Sequence, residues 1–155
     1  MNNNTINNFP EIIPIFPLKG VVMFPDTYLP LNIFEQRYLD LVNDAYKKDK
    51  FMGMVQSKKE NDKVYSIGCL GKISDLQKSA DGRILINLTG ISRFKILKEI
   101  PNNKLYREFQ VDYENFTNDI TNIYNDIDAN YMIEKAKIFF KKLLKLITKL
   151  LPKHG

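Results

Sequence analysis

Residues 12–42, IIPIFPLKGVVMFPDTYLPLNIFEQRYLDLV, constrain this chain more than any other stretch. Four prolines punctuate it: Pro14, Pro17, Pro25 and Pro30. Each fixes φ and removes a backbone donor, so none is expected inside a helix or a central strand. Each also pushes the residue before it towards extended geometry. The expected outcome is a stiff, extended path that wraps around something rather than a regular hairpin. Ile13, Ile15, Leu18, Val21, Val22, Leu29, Leu31 and Ile33 are expected to supply its buried surface, at roughly 1.5–3 kcal/mol for each large side chain fully removed from water.

The 155 residues suit one domain with an appendage, and a hydrophobic fraction of 44% is that of a globular chain. The single cysteine, Cys69, excludes an intrachain disulfide and fits a reducing compartment. Flanked by Gly68 and Leu70 in a strand-like run, it reads as a buried, inert thiol. The opening MNNNTINNFPEI lacks the basic and apolar regions of a secretory leader. No run reaches the ~18 apolar residues of a membrane span, so the expectation is a cytoplasmic protein. Charge is uneven. Residues 131–155 hold seven lysines against Glu134, a net of +6, which leaves −1 of the total +5 on residues 1–130. The body therefore offers nucleic acid no electrostatic footing.

Residues 1–9 read as a frayed, Asn-rich start. Strands are expected at 11–16 and 29–33. A helix follows, with Phe34, Tyr38, Leu41, Val42, Ala45 and Tyr46 on one apolar face. Asn32 and Glu35 have the spacing of a capping box. FMGMVQ at 51–56 is a short strand, and 65–77 a longer one whose Gly68 and Gly71 suggest a bulge or a barrel bend. Ser79 to Gly82 (SADG) is a hairpin turn before a long run at 83–100, which Gly90 is expected to break. A last strand is expected at 106–113. Residues 115–130 read as a linker with a weak patch at 120–127. A basic amphipathic helix follows at 131–151, stopped by Pro152. Short strands closing on themselves, one helix across them and one appended, define an α+β class with a small, partly open barrel.

The missing chemistry is as informative. There is no phosphate-loop motif, no metal-spaced His/Cys cluster, and the single histidine is His154. A Ser-His-Asp site has no histidine to work with. Non-enzymatic function and no cofactor are expected. Glu35 and Arg37 read as a cap and an ion pair to the barrel. Phe16, Phe24, Phe34 and Tyr38 can line a groove, with Phe34 and Tyr38 better read as core. The Met23-Phe24-Pro25 turn is the better place for an exposed partner contact. Met52 and Met54, alternating around Gly53, read as core with an alternative as a pliable apolar contact. In the tail, Phe139, Phe140, Leu143, Ile147 and Leu150 form a face for docking, self-association or an anionic membrane surface.

The same stretch closely resembles the opening signature of the Lon substrate-binding domain, the N-terminal domain of ATP-dependent Lon proteases. That signature has the form PLFPL-x3-VLFP-x3-LPL-x-IFE-x-RY-x2-L. The matching residues are Pro14, Phe16, Pro17, Leu18, Val22, Phe24, Pro25, Leu29, Pro30, Leu31, Ile33, Phe34, Glu35, Arg37, Tyr38 and Leu41. The run from Ile67 to Ile73, with Gly68 and Gly71, resembles the family's IG-x-x-G-x-I strand. Asp81-Gly82-Arg83, followed by Leu88, Gly90, Arg93, Phe94 and Ile96, resembles its DGR and L-x-G-x-x-RF-x-I strand. The resemblance covers about residues 10–114.

It implies a PUA-like pseudo-barrel crossed by a helix, and a role in binding polypeptides or partner proteins without the ATPase and protease modules of full Lon proteases. It also implies a small bacterial protein of the standalone Lon-domain kind. Such members continue into a bundle of several helices, whereas one helix is legible here. Its apolar face is therefore expected to favour dimerisation or membrane contact. The leading expectation is a non-catalytic module that binds protein or peptide; the alternative is a membrane-surface protein anchored by the lysine-rich tail.

Overall fold

The computed structural model describes residues 8–59, 62–119 and 129–150, and divides into two units, residues 1–120 and 121–155. The first unit holds strands β1 (Ile12–Leu18), β2 (Tyr28–Ile33), β3 (Phe51–Gln56), β4 (Ile67–Lys78), β5 (Ile84–Ile100) and β6 (Arg107–Asp112), with helix α1 (Gln36–Lys47) between β2 and β3. In the second unit lies helix α2 (Ala129–Leu150). The expected linker patch at 120–127 lies outside the described residues.

The sheet runs β2-β5-β4-β3-β1-β6, and β5 also pairs with β6. Five strands therefore close a ring, and β2 is an edge added to the first half of β5. Every pairing is antiparallel except β1 with β3. One strand of 17 residues, β5, makes this possible. Its first half pairs with β2 and β4, and its second half with β4 and β6. Register shifts at Leu70/Gly71, Ile73/Asp75 and Ile96/Lys98 supply the bends that closure requires.

The expectation that no proline sits inside a ring strand is corrected. Pro14 and Pro17 both lie within β1. The ladder explains why this is tolerated. β1 pairs with β6 through Ile12–Ile15 and with β3 through Ile15–Leu18. Partners change at Ile15, so each proline lies in a half paired on one side only. Pro30 sits in the edge strand β2, where the missing donor is least costly.

Two cores result. Inside the barrel are Ile13, Ile15, Val55, Leu70, Phe94, Phe109, Val111 and Tyr113. Phe94 fills the centre, and Gly53 and Gly68 make room for it: a Cβ at either would come within 3.0 Å or less of its Cζ. The second core lies between α1 and the sheet's other face. Tyr38, Leu41, Val42 and Ala45 of α1 pack there with Ile33, Met52, Met54, Ile73, Ile84, Ile86 and Leu88.

Several side chains depart from expectation. Phe34 precedes α1 rather than joining its apolar face, and it is 66% exposed. Tyr46 is also exposed, under the Nζ of Lys50 at 4.8 Å. No capping box forms, because the helix begins three residues later: Glu35 rather than Asn32 is the N-cap, without a side-chain cap bond. Val21 and Val22 are exposed instead of supplying buried surface. Gly90 does not break β5, which runs through it unbroken.

In α2, Phe139, Phe140, Leu143, Leu144, Leu146, Ile147 and Leu150 fall on one side at about 100° per residue, opposite Lys137, Lys141, Lys145 and Lys149. No described helix is long and apolar enough to cross a membrane.

Candidate functional site

Two concavities flank the end of β1, and Leu18 lines both. The first, about 330 Å³, is apolar. Val21, Val22, Met23 and Phe24 form one wall, Tyr65 and Ile67 the other, and Met54, Val55 and Cys69 line the space between. Phe24 and Val22 are 57% and 59% exposed, and Tyr65 and Ile67 are about half exposed. Apolar surface standing open at a concavity is where binding sites are sought.

Local chemistry sets the first wall. Phe24, Pro25, Asp26 and Thr27 make a turn in which the Thr27 amide and Oγ1 both donate to the Phe24 carbonyl, at 3.3 and 2.7 Å. The turn is fastened to β5. The Asp26 amide donates to the Gly90 carbonyl at 3.0 Å, and the Gly90 amide to the Thr27 carbonyl at 2.8 Å. A Cβ on residue 90 would lie 2.1 Å from the Phe24 carbonyl oxygen, so only glycine allows this approach. Gly90 is the seat of the turn.

Among the described residues one ionised side chain lines this groove, Arg93, and it is already engaged. Its Nη2 and Nε donate to the Asp119 carboxylate at 2.7 and 2.9 Å, its amide adds a third bond at 3.0 Å, and Phe116 stacks on its guanidinium at 4.8 Å. These bonds hold the Asp119 carboxyl below its usual range, against a smaller opposing effect of burial. The Cys69 thiol is buried and pushed up to about 12 by desolvation, which leaves it inert.

The second concavity is larger, about 940 Å³, and charged. Phe16, Phe34, Glu35, Arg37, Tyr38 and Arg107 are among its lining, with Lys19, Lys58, Lys59 and Asp62. Its arginines have partners. Arg37 pairs with Glu35 at 3.1 Å and stacks over Tyr38 at 4.6 Å, while Arg107 makes a two-pronged pair with Glu99 at 2.8 and 3.0 Å. The expected Glu35–Arg37 link to the barrel is therefore corrected to a pair within itself. Two residues apart at the start of α1, these side chains reach each other first. Burial raises the Tyr38 phenol above its ordinary value.

Of the residues expected at a contact surface, the structure places Met23 and Phe24 at the apolar groove, and Pro25 beside them in the turn but outside the lining. Phe24 is exposed, Pro25 half-buried, and Met23 buried with its side chain turned to the core. Met52 and Met54 are corrected as surface contacts. Met52 is 0% exposed and Met54 is also buried, because they face α1; Met54 alone reaches the groove. The groove residues that sequence reasoning missed are Val21, Val22, Tyr65 and Ile67. The Tyr65-x-Ile67 alternation before a glycine strand was the available signal. Phe139, Phe140, Leu143, Ile147 and Leu150 of α2 belong to the second unit. Among the described residues no three His, Cys, Asp or Glu side chains are placed to hold a metal ion.

A closed five-stranded ring carrying an edge strand and a helix over its second core is a PUA-like pseudo-barrel. By sequence the chain belongs to the family of the ATP-dependent protease La (LON) substrate-binding domain, whose family model matches residues 12–154. Among curated relatives it is 27% identical over 149 residues to a Lon protease of Cytophaga hutchinsonii and 26% identical over 151 residues to Lon protease 2 of Myxococcus xanthus. These matches cover 92% and 94% of this chain but 17% of each relative. Among solved structures it resembles a Lon N-terminal domain protein from Xanthomonas campestris, at 26% identity and a TM-score of 0.57, over 66% of this chain and 59% of that one. The N-terminal domain of a Mycobacterium avium complex Lon protease shares the fold at 15% identity and a TM-score of 0.54, over 89% of this chain and 68% of that one.

Proposed function

We propose that the chain is a non-catalytic recognition module that binds polypeptide clients, and that the apolar groove takes up their apolar side chains. The observation that carries this reading is the groove itself: exposed Val22, Phe24, Tyr65 and Ile67 around a cleft whose single charge is already paired, in a chain of the Lon substrate-binding family. Burying such surface on a client yields roughly 25 cal/mol per Å² before the costs of association. Clients presented here require no ionised partner. The lone buried thiol suits a cytoplasmic setting. The test is binding of the full chain to permanently unfolded, reduced and carboxymethylated α-lactalbumin. Val22→Asp is expected to weaken it about tenfold or more; affinity no better than that of an unrelated β-barrel overturns the reading.

A second reading belongs to α2, whose large apolar side chains gather mainly on one side and its lysines mainly on the other, with Ile138 among the lysines. It makes the helix an interfacial anchor on anionic lipid, with about 1 kcal/mol for each lysine near the surface. Sedimentation with phosphatidylglycerol vesicles tests it. Binding unchanged by Lys141→Glu with Lys145→Glu removes it.

A further inference from the structure

We infer that residues 21–23 form an open strand position: an uncharged, extended stretch of a client polypeptide pairs with this segment through its main chain, while its apolar side chains on one side enter the groove. This rests on the reading of the groove as a client site and specifies how the client is held.

The backbone of the segment is unspent. β1 last meets its neighbour where the Ser57 amide donates to the Leu18 carbonyl at 2.9 Å. Beyond that point the neighbouring chain turns away into the Ser57–Val64 bridge. Among the described residues no hydrogen bond reaches the amide or carbonyl of Gly20, Val21, Val22 or Met23. Such groups bond either water or an added strand, and an added strand leaves its own main chain satisfied as well.

The segment is also held ready. At one end it follows β1 across the Lys19–Gly20 bend, where Gly20 has φ 70°, and at the other the turn is fastened to Gly90 by the two bonds given above. Pro17 and Pro25 restrict φ near both ends. A segment anchored twice loses little further freedom when a partner pairs with it. Because the chain bends at Gly20, the added strand pairs with Val21–Met23 and begins a ladder of its own. Among helices and strands, only an extended chain presents free main-chain donors and acceptors along its length, and this identifies the occupant.

Side-chain chemistry is set by the walls. The groove offers Val21, Val22, Phe24, Tyr65 and Ile67 and a single cation bound to Asp119. An ammonium brought in would lose hydration without finding a partner, and a carboxylate would meet only Lys58, whose Nζ stands 5.3 Å over the Tyr65 ring at the rim. Occupants alternating apolar and small uncharged residues fit both the pairing and the walls.

The test uses the full chain and three fluorescent peptides: one alternating valine or phenylalanine with serine, and two versions of it N-methylated at every second residue, in opposite phases. One phase of methylation is expected to weaken binding about tenfold and the other to leave it near the parent value, because only one set of amides faces the protein. Amide exchange at Val21, Val22 and Met23 should slow on addition of the parent peptide. If both methylated peptides bind like the parent, main-chain pairing is wrong and the groove reading survives. If no peptide binds and no amide slows, both fall. If those amides slow with protein concentration alone, the position is filled by a second copy of the chain, and the client proposal is overturned.

Discussion

The two grooves meet at Leu18, yet they differ in what they have left to offer. In the charged groove, Arg37 is bonded to Glu35 and Arg107 to Glu99, while Lys19, Lys58 and Lys59 line it with no ion-pair partner among the described residues, so it still has cations to offer. In the apolar groove the one cation is committed to Asp119, and what remains is apolar surface and unpaired main chain. The two clefts therefore offer different chemistry: lysines in the larger one, open main chain beside exposed apolar groups in the smaller.

The strongest way to break the comparison is to remove what both grooves stand on. Phe94→Ala empties the barrel centre and is expected to cost about 3–5 kcal/mol, read as a fall in the urea midpoint, with client binding lost alongside. Gly90→Ala separates the two. Its methyl group meets the Phe24 carbonyl, so the turn must lift, at about 1–3 kcal/mol. The apolar groove should open while the Arg37–Glu35 and Arg107–Glu99 pairs persist; nuclear magnetic resonance shifts confined to residues 20–28 and 88–92 would show this. Unchanged shifts there would contradict the seating of the turn.

Acid should act on both sides, because Arg107 depresses the Glu99 carboxyl as Arg93 depresses that of Asp119. Asp119 has a carboxyl pKa depressed by Arg93, so its contribution is present above the ordinary carboxylate value of about 3.9 and is lost as pH falls through the lower folded value. Asp119→Asn should flatten that part of the stability–pH profile. Glu35→Gln sharpens the comparison with the smallest effect. An exposed pair is worth about 0–1 kcal/mol, and client affinity should not change. A large loss of client binding in Glu35→Gln would move the site to the charged groove.

Fold was legible in this chain because periodicity and motif agreed. Alternation at Ile84, Ile86 and Leu88, the α1 face from Tyr38 to Ala45 and the FMGMVQ strand all stand where their spacing puts them. The prolines of β1 misled because the rule against them assumes a strand paired on both sides along its whole length. That a strand changes partners at Ile15 is a property of the closed ring, and no local pattern carries it. The groove was half legible for a similar reason. Met52 and Val22 are comparably apolar, and only the position of α1 decides that one is covered and the other open. Gly90 shows the same limit: its need for glycine comes from a carbonyl more than sixty residues earlier.

One bond at the corner of the barrel has a practical corollary. The Tyr113 hydroxyl donates to the Pro10 carbonyl at 2.7 Å, and the Val111 amide to the Glu11 carbonyl at 2.8 Å. The arriving polypeptide is thus tied to the end of the last strand, and residues 114–119 then stay on the unit, held by the Asp119–Arg93 bonds. A unit built this way behaves as a cassette. It can be spliced into a loop of an unrelated host without prying the host's termini apart, or recircularised with a short joint and reopened at the Ser79–Gly82 turn, and still close the same ring.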